Sequence, residues 1–387
     1  MPRFHSLRGI VLATFVGMGA LVVTACTPPL PPDVLAAQAE RNITCQDGAQ
    51  DVSLPDDFAG SMALVNGSLT GACANQSITE VPADAPAGVR IIDRAPSAAD
   101  IAAFAKTCPS GVITVPAFAY GVAPTYNIIG LEGLVLPPDV IAGILTGAIT
   151  RWDDPAIVAA NPGVDLTNLP DITVMSLEAP QGAVEAETAW LAKAAPKAWT
   201  QGTVGTIGIG NTYPTLADLA AELTVTDGAF AILPAVDAVA NNLPMATAEV
   251  QGQSVSVDQS ALVKIGSGAT SITTDDAGNI TASPAIGGVP VEGNFDAAAA
   301  KIVLAEGQEM VGWPVVGYAH MLVCDDPADP LPLSSAQYLA RLAGQGSLET
   351  YGLTPLPEPV RIKLFAPLKV TLPSGAPIVE SPSPAAS

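Results

Sequence analysis

The stretch that decides the fold is residues 116–174, PAFAYGVAPTYNIIGLEGLVLPPDVIAGILTGAITRWDDPAIVAANPGVDLTNLPDITV. Its apolar start belongs to residues 112–124, which we predict to form a pair of strands interrupted by proline and glycine. Residues 138–145 begin at a proline and place apolar side chains at helical spacing, which predicts a helix. Residues 172–176 predict another buried strand. Strand and helix alternate along this stretch, which is typical of an α/β protein.

The flanking sequence continues the same alternation. The further predicted elements are strands at residues 89–92, 230–233 and 315–323 and helices at residues 97–106 and 183–195. Ser97 is the expected N-cap of the first of these helices. Because a single core stops growing at roughly 250–300 residues, a chain of 387 residues with this pattern predicts two α/β lobes with largely parallel sheets.

The composition excludes one large class of function. The chain has 15 Lys+Arg against 37 Asp+Glu, a formal net charge of −22. Nucleic-acid binding depends on clustered Lys and Arg that release counterions from the phosphate backbone, and this sequence contains no basic run. With 49% hydrophobic and only 13% charged residues, the chain also has enough apolar surface for a folded core.

The N-terminus predicts export and lipidation. Arg3 and Arg8 precede an apolar segment at residues 9–23, and the string VTAC ends at Cys26. Residues 1–25 are therefore interpreted as a signal peptide, and VTAC resembles the bacterial lipobox. Cleavage would leave Cys26 as the first residue, carrying a diacylglyceride and an N-acyl chain such as palmitate. A plain secretory signal is the alternative interpretation.

The remaining chain divides into a tether, a domain and a tail. Residues 26–50 are expected to be the lipidated N-terminus and tether, because residues 27–33 are rich in proline. The two-lobed domain is predicted at residues 51–370, with the second lobe at roughly residues 125–245 and the first lobe the remainder. The Pro/Ser/Ala-rich residues 371–387 are predicted to be disordered.

The four cysteines other than the lipidated one form an even set, which favours two disulfides in an exported protein. Three connectivities are compatible with the sequence. Cys45 with Cys73 is favoured because these residues are close in the chain, which leaves Cys108 with Cys324. A zinc site is the alternative, but the spacings are wide and His320 would be the only nearby nitrogen ligand.

Catalytic motifs are missing from the sequence. Apart from the histidine in the predicted signal peptide, the chain has only His320, which lies in the apolar run VVGYAHMLV and is expected in the core. Phosphate-cradling loops, dinucleotide fingerprints and zinc-protease strings are absent from the sequence. The acidic pairs at residues 153–154 and 325–326 precede proline and indicate turns. We therefore predict a protein that is not an enzyme and needs no cofactor or metal.

The central stretch resembles the periplasmic phosphate-binding proteins of ABC transporters. Residues 227–252, 312–323 and 351–361 resemble later parts of that family, and the resemblance covers roughly residues 51–363. It implies a two-lobed periplasmic binding protein-like fold, with mixed, mostly parallel sheets and a ligand cleft at a hinge. The residues that carry it are Tyr126, Asn127, Gly130, Ile144, Gly147, Ile149, Trp152, Asp154, Pro155, Ile157, Asn161, Pro162, Gly163, Leu169, Pro170 and Ile172–Val174.

The ligand loops depart from the pattern of the family. The family loop resembling RSDGSGT is SLEAPQG here, so that Ser176 stands at the arginine position and Glu178 matches the loop acid. In the loop after residue 92, Asp93 stands where the family has serine and Arg94 where it has aspartate. The candidate ligand-binding residues are Asp93, Arg94, Ser176, Glu178 and Gln181. In one interpretation Arg94 supplies positive charge to an anion and Ser176, Glu178 and Gln181 supply hydrogen bonds. In the other, Arg94 pairs with Asp93 or Glu178 and the cleft is vestigial.

These features predict an extracytoplasmic solute-binding lipoprotein that resembles the phosphate-binding component of an ABC importer, with an altered anion site. The expected partners are a small anionic solute, phosphate being one candidate, and an ABC permease. The expected location is the extracytoplasmic face of a bacterial cell membrane, through the lipid on Cys26. The alternative is a surface lipoprotein that uses a vestigial binding-protein scaffold for protein interaction.

Overall fold

The computed structural model describes residues 32–250, 253–258, 263, 270–284, 301–303 and 309–372. The predicted signal peptide, the lipidation at Cys26 and nearly all of the predicted tail lie outside the described residues. None of the helices in the described part is long and apolar enough to cross a membrane.

The described chain is a mixture of helices and strands. The strands are β1 (Gly48–Leu54), β2 (Gln76–Pro82), β3 (Val89–Ile92), β4 (Val112–Asn127), β5 (Thr173–Leu177), β6 (Asn211–Tyr213), β7 (Ala229–Pro234), β8 (Ala248–Val250), β9 (Gln253–Val255), β10 (Thr270–Thr274), β11 (Ile280–Pro284), β12 (Lys301–Val303), β13 (Glu309–Val311) and β14 (Val316–Cys324). The helices are α1 (Pro32–Arg41), α2 (Ser61–Ala72), α3 (Ala98–Phe104), α4 (Pro138–Thr146), α5 (Pro155–Ala160), α6 (Gly182–Ala194), α7 (Leu216–Val225), α8 (Ala235–Ala240), α9 (Leu331–Leu339), α10 (Leu342–Tyr351) and α11 (Glu358–Lys363). A short 3₁₀ helix, η1, covers Asp56–Phe58.

Eight strands form one mixed sheet in the order β2-β1-β3-β14-β4-β7-β5-β6. The long strand β4 connects its two halves. Residues 112–121 of β4 pair antiparallel with β14, and residues 122–127 pair antiparallel with β7. We call the half with β2, β1, β3 and β14 lobe 1, and the half with β7, β5 and β6 lobe 2. The pairs β1–β2, β1–β3, β5–β7 and β5–β6 are parallel.

The prediction of an interrupted strand pair at residues 112–124 is wrong, because β4 is one continuous strand. Pro116 has no N–H to donate, and it sits where the β4–β14 register shifts between Ala319 and His320. Gly121 lies where β4 exchanges β14 for β7, and a side chain there would meet the methyl groups of Val257. Each residue therefore marks a local irregularity that the strand accommodates.

Most other predicted elements are confirmed within one or two residues at their ends, including β3, β5, β7, β14, α4 and α6. Ser97 caps α3 as predicted, with its hydroxyl accepting from the Asp100 N–H and the Asp100 side chain accepting from the Ser97 N–H. The helix ends at Phe104, before the predicted Lys106.

The folded part begins earlier than the sequence indicates. Helix α1 and the start of β1 lie in the segment predicted as tether. Ala39 is fully buried, and the Arg341 guanidinium donates to its carbonyl oxygen. The buried Arg361 pairs with Glu40 of the same helix. These long-range contacts hold α1 on lobe 1, and local composition could not predict them.

Each lobe has its own aromatic cluster. In lobe 1 the Phe58 ring lies 4.9 Å from the Phe118 ring and 5.1 Å from the Tyr120 ring, measured between centroids. In lobe 2 the Trp152 ring lies 5.7 Å from Tyr126. Trp152 is fully buried, and its indole N–H donates to the Gly228 carbonyl oxygen. One cluster therefore packs on the first part of β4 and the other on its end, and each stabilises one half of the sheet.

Both predicted disulfides are confirmed, Cys45–Cys73 and Cys108–Cys324. The zinc alternative does not fit, because these four cysteines are bonded in pairs. His320 is fully buried, as expected, and its Nε2 accepts from the Ala282 N–H while Nδ1 lies 3.1 Å from the Tyr318 carbonyl oxygen. Burial lowers the pKa of His320 to about 4, so the ring is neutral in the core.

Candidate functional site

The candidate site lies where the carboxyl ends of strands in the two lobes face each other, the usual position of ligands in open α/β sheets. From lobe 1 come η1 after β1 and the loop after β3. From lobe 2 come the start of α6 after β5 and helix α8 after β7. We call the space between these four segments the cleft.

Asp93 joins the two lobes directly. One carboxylate oxygen of Asp93 accepts the N–H of Gly182, the first residue of α6, at 2.5 Å. The backbone carbonyl oxygen of Asp93 accepts the hydroxyl of Tyr120 at 2.6 Å. A Cβ on residue 182 would clash with the Asp93 backbone, so the close approach requires glycine there. The lobes are therefore in contact at the first turn of α6.

The Arg94 guanidinium is surrounded by carboxylates. It lies 3.6 Å from Asp93, 3.2 Å from Asp100 and 3.6 Å from Glu185, the last of which belongs to α6 of the opposite lobe. The sequence offered Asp93 or Glu178 as the partner of Arg94. The structure shows the ion pair with Asp93, together with ion pairs to Asp100 and Glu185. The role of Arg94 toward an external anion stays a prediction, since its charge is already engaged by these groups.

The other three predicted ligands occupy different environments. Ser176 is 3% exposed and Gln181 is 4% exposed, whereas Glu178 is exposed. Among the described residues, the hydroxyl of Ser176 and the amide nitrogen of Gln181 have no hydrogen-bond partner. The amide oxygen of Gln181 accepts from the Leu177 N–H at 3.3 Å. The structure thus brings Asp93, Arg94 and Gln181 to the start of α6 and leaves Glu178 at the surface.

Sequence reasoning missed several acids of the cleft. Tyr120 lies among four carboxyl groups, those of Asp57, Asp93, Glu185 and Asp237, and burial together with these acids raises its pKa above the ordinary value. Asp57 follows β1 in lobe 1, and Asp237 lies in α8 of lobe 2. The only sequence signal was a carboxylate just after a strand, as in the string LPDDF.

Asp57 and Asp237 form a carboxyl pair across the cleft. Burial is the main cause that raises the pKa of both groups. The charge of Asp57 raises the pKa of Asp237 further, whereas the charge of Asp93 raises that of Asp57 and the hydrogen bond with Asp237 opposes this. Asp237 is 8% exposed, and among the described residues its Oδ2 atom has no assigned donor. The pair therefore keeps a proton near neutral pH, because burial disfavours the ionised form of both groups. Burial also raises the pKa of Asp93, against the opposing effects of the Gly182 N–H and Arg94.

No protein-family profile matches this chain. The phosphate-binding protein PstS 2 of Mycobacterium tuberculosis H37Rv is 28% identical over 267 residues, covering 68% of this chain and 67% of that protein. Phosphate-binding protein PstS 3 of Mycobacterium leprae is 40% identical over 67 residues, which cover 17% of this chain and 18% of that protein.

Solved structures agree on the fold. The periplasmic phosphate-binding protein PfluDING matches this chain with a TM-score of 0.57 at 15% identity. The match covers 86% of this chain and 100% of that one. The phosphate-binding protein of Stenotrophomonas maltophilia gives a TM-score of 0.53 at 16% identity, over 85% of this chain and 96% of that one. The fold is therefore the mixed α/β, two-lobed fold of the substrate-binding proteins, as predicted.

Within this class, the chain is most usefully described by what it is similar to. The mycobacterial relatives and the motifs of residues 116–174 agree on a similarity to the phosphate-binding proteins. These relatives are named as binding proteins, which supports the prediction that the chain is not an enzyme.

Proposed function

We propose that the chain is the extracytoplasmic solute-binding component of an ABC importer. The observation that carries this proposal is the meeting of loops from two lobes around one cleft, in a chain homologous to phosphate-binding proteins. Two lobes connected by β4 can separate to admit a solute and close on it. The solute-loaded protein then docks on its permease. The predicted limits of the second lobe, roughly residues 125–245, belong to this proposal.

The proposal includes a lipid anchor at Cys26. The basic residues Arg3 and Arg8, the apolar segment and the VTAC string support it. A diacylglyceride and an N-acyl chain would together hold the folded domain at the extracytoplasmic face of the cell membrane. Mass spectrometry of the membrane-extracted protein tests the anchor: a lipidated N-terminal peptide that begins at Cys26 is expected, and an unmodified one would contradict it.

The proposal also includes an altered anion site. The cleft presents the four acids Asp57, Asp93, Glu185 and Asp237 around Tyr120, against the single guanidinium of Arg94. Even with one proton kept between Asp57 and Asp237, the ionised acids outnumber the charge of Arg94, and this raises the cost of bringing an anion into a buried site. We therefore expect the solute of this protein to differ from free inorganic phosphate.

A thermal-shift panel tests this function. Residues 32–372 are expressed without lipid and melted with phosphate, phosphonates, sulfate and organic anions. We expect a saturable rise in melting temperature with a member other than inorganic phosphate. A large shift with micromolar phosphate would refute the altered site. A flat response to every member would refute the receptor function for this solute class.

The second candidate is a surface lipoprotein that binds another protein. It is favoured by the direct contact between lobes at Asp93 and Gly182, which closes the cleft with the protein's own groups. The two candidates differ in their partner. Crosslinking in the native membrane to an ABC permease encoded beside this gene supports the receptor, whereas recovery of the chain without any permease supports the second candidate.

A further inference from the structure

The first turn of α6 already holds an anion, and that anion belongs to the protein. The N–H groups in the first turn of an α-helix have no acceptor within the helix, and the helix dipole places partial positive charge there. Helix N-termini therefore bind phosphates and carboxylates. In this chain the carboxylate of Asp93, from the opposite lobe, accepts the N–H of Gly182.

A second observation marks this helix end as a ligand position. The amide nitrogen of Gln181, the N-cap residue of α6, is buried and has no hydrogen-bond partner among the described residues. The Ser176 hydroxyl, near the end of β5, is buried and without a partner in the same part of the chain. Buried polar groups are normally satisfied, because leaving them unpaired costs about 1–3 kcal/mol each. The unpaired donor on the N-cap residue itself indicates that this helix end can hold a polar ligand.

We propose that Asp93 is the specificity-determining residue of the cleft: its carboxylate acts as a tethered anion that fills the anion position on α6 and excludes inorganic phosphate. This inference rests on the proposed function. A group tethered to the same chain competes at a high effective concentration, on the order of millimolar or more. A free phosphate would have to displace it and then lie beside the displaced negative charge, which adds repulsion.

The neighbouring charges agree with this role. Arg94 lies 3.6 Å from the Asp93 carboxylate and 3.6 Å from Glu185. The guanidinium therefore holds the tethered anion in place and connects it to α6. Since a glycine is required at position 182 for Asp93 to come this close, the two residues act as one unit.

The test is isothermal titration of inorganic phosphate into residues 32–372 and two variants. Asp93→Ala removes the carboxylate and leaves space on α6. Glu185→Gln is the matched control, because it neutralises another acid paired with Arg94 without touching the Gly182 N–H. We expect Asp93→Ala to bind phosphate at least about tenfold more tightly than the wild type, and Glu185→Gln to gain less than about threefold.

Several outcomes would overturn the inference. These are tight phosphate binding by the wild type, no gain in Asp93→Ala, or an equal gain in Glu185→Gln. If Asp93→Ala does not fold, Asp93→Ser takes its place, since it also removes the carboxylate and shortens the side chain; a gain supports the inference and no gain overturns it. Failure here is distinguishable from failure of the proposed function, which is judged by the thermal-shift panel on the wild type alone.

Discussion

Two regions of the molecule, the stretch at residues 116–174 and the cleft, differ in the kind of contact that their side chains make. In the first, motif residues such as Tyr126, Trp152 and Ile157 are buried and pack within lobe 2. In the cleft, polar residues from both lobes contact one another, and Asp93 takes the position that a solute anion would occupy. In our proposal, the chain thus resembles the phosphate-binding proteins where side chains pack, and it departs from them where side chains would meet a ligand. Fold and ligand must be argued separately in such a chain.

The largest effect should come from the scaffold. Trp152→Ala removes a fully buried ring that contacts Tyr126 and Phe230 and whose N–H bonds to Gly228. We expect a loss of about 3–5 kcal/mol in the free energy of unfolding, measured by urea denaturation. The control Val158→Ala, at a side chain that is 43% exposed, should change it by less than about 0.5 kcal/mol. A loss below about 1 kcal/mol for Trp152→Ala would contradict the claim that the motif residues of the stretch at residues 116–174 stabilise the fold.

Helix α6 contributes to both the cleft and the core. Glu185 lies at the cleft beside Arg94, and Glu187 lies in the core. Glu187 is fully buried, neither carboxyl oxygen has a partner among the described residues, and burial raises its pKa from the ordinary 4.5 to about 8. The neutral acid contributes stability that is fully present below pH 4.5 and is lost as the pH rises through about 8.

We therefore expect Glu187→Gln to flatten the pH dependence of stability. Between pH 5 and pH 8 the wild type should lose up to about 1.4 kcal/mol per pH unit through this group, and the variant should not. Urea unfolding at several pH values measures this, with the exposed Glu132→Gln as control. Parallel curves for the wild type and Glu187→Gln would contradict the buried, unpaired state of the acid.

A pH effect in the same direction is expected from the carboxyl pair of the cleft. Asp57 and Asp237 have raised pKa values, and the groups around them are Asp56, Asp93, Tyr120 and Tyr351. The folded protein favours the protonated form of these two groups. Their contribution to its stability is therefore fully present below the ordinary pKa of aspartate. It is lost as the pH rises through the raised values.

Asp237→Asn should weaken this pH dependence, because asparagine does not titrate and the group whose pKa is raised is gone. The readout is the melting temperature from pH 5 to pH 9, with the exposed Asp84→Asn as control. The wild type should lose melting temperature with rising pH more steeply than Asp237→Asn. An unchanged slope would show that the pair does not share a proton.

The sequence predicted the scaffold better than the site for a physical reason. Strand and helix patterns are local, so β3, α4 and α6 could be located from periodicity and capping residues. The cleft depends on contacts between distant segments. Asp93 and Arg94 were found because the loop after a predicted strand resembles a ligand loop of the phosphate-binding proteins, but their partner Glu185 lies on the other lobe. Asp57 and Asp237 are about twice as far apart in the chain as Arg94 and Glu185, and no local pattern connects them.

The central claim is that the cleft is closed by the protein's own Asp93. The most direct measurement is the distance between spin labels at positions 64 and 225, which are exposed sites on α2 of lobe 1 and α7 of lobe 2. Without solute, we expect one short distance that millimolar phosphate leaves unchanged. A longer distance without solute, which shortens when phosphate is added, would contradict the claim.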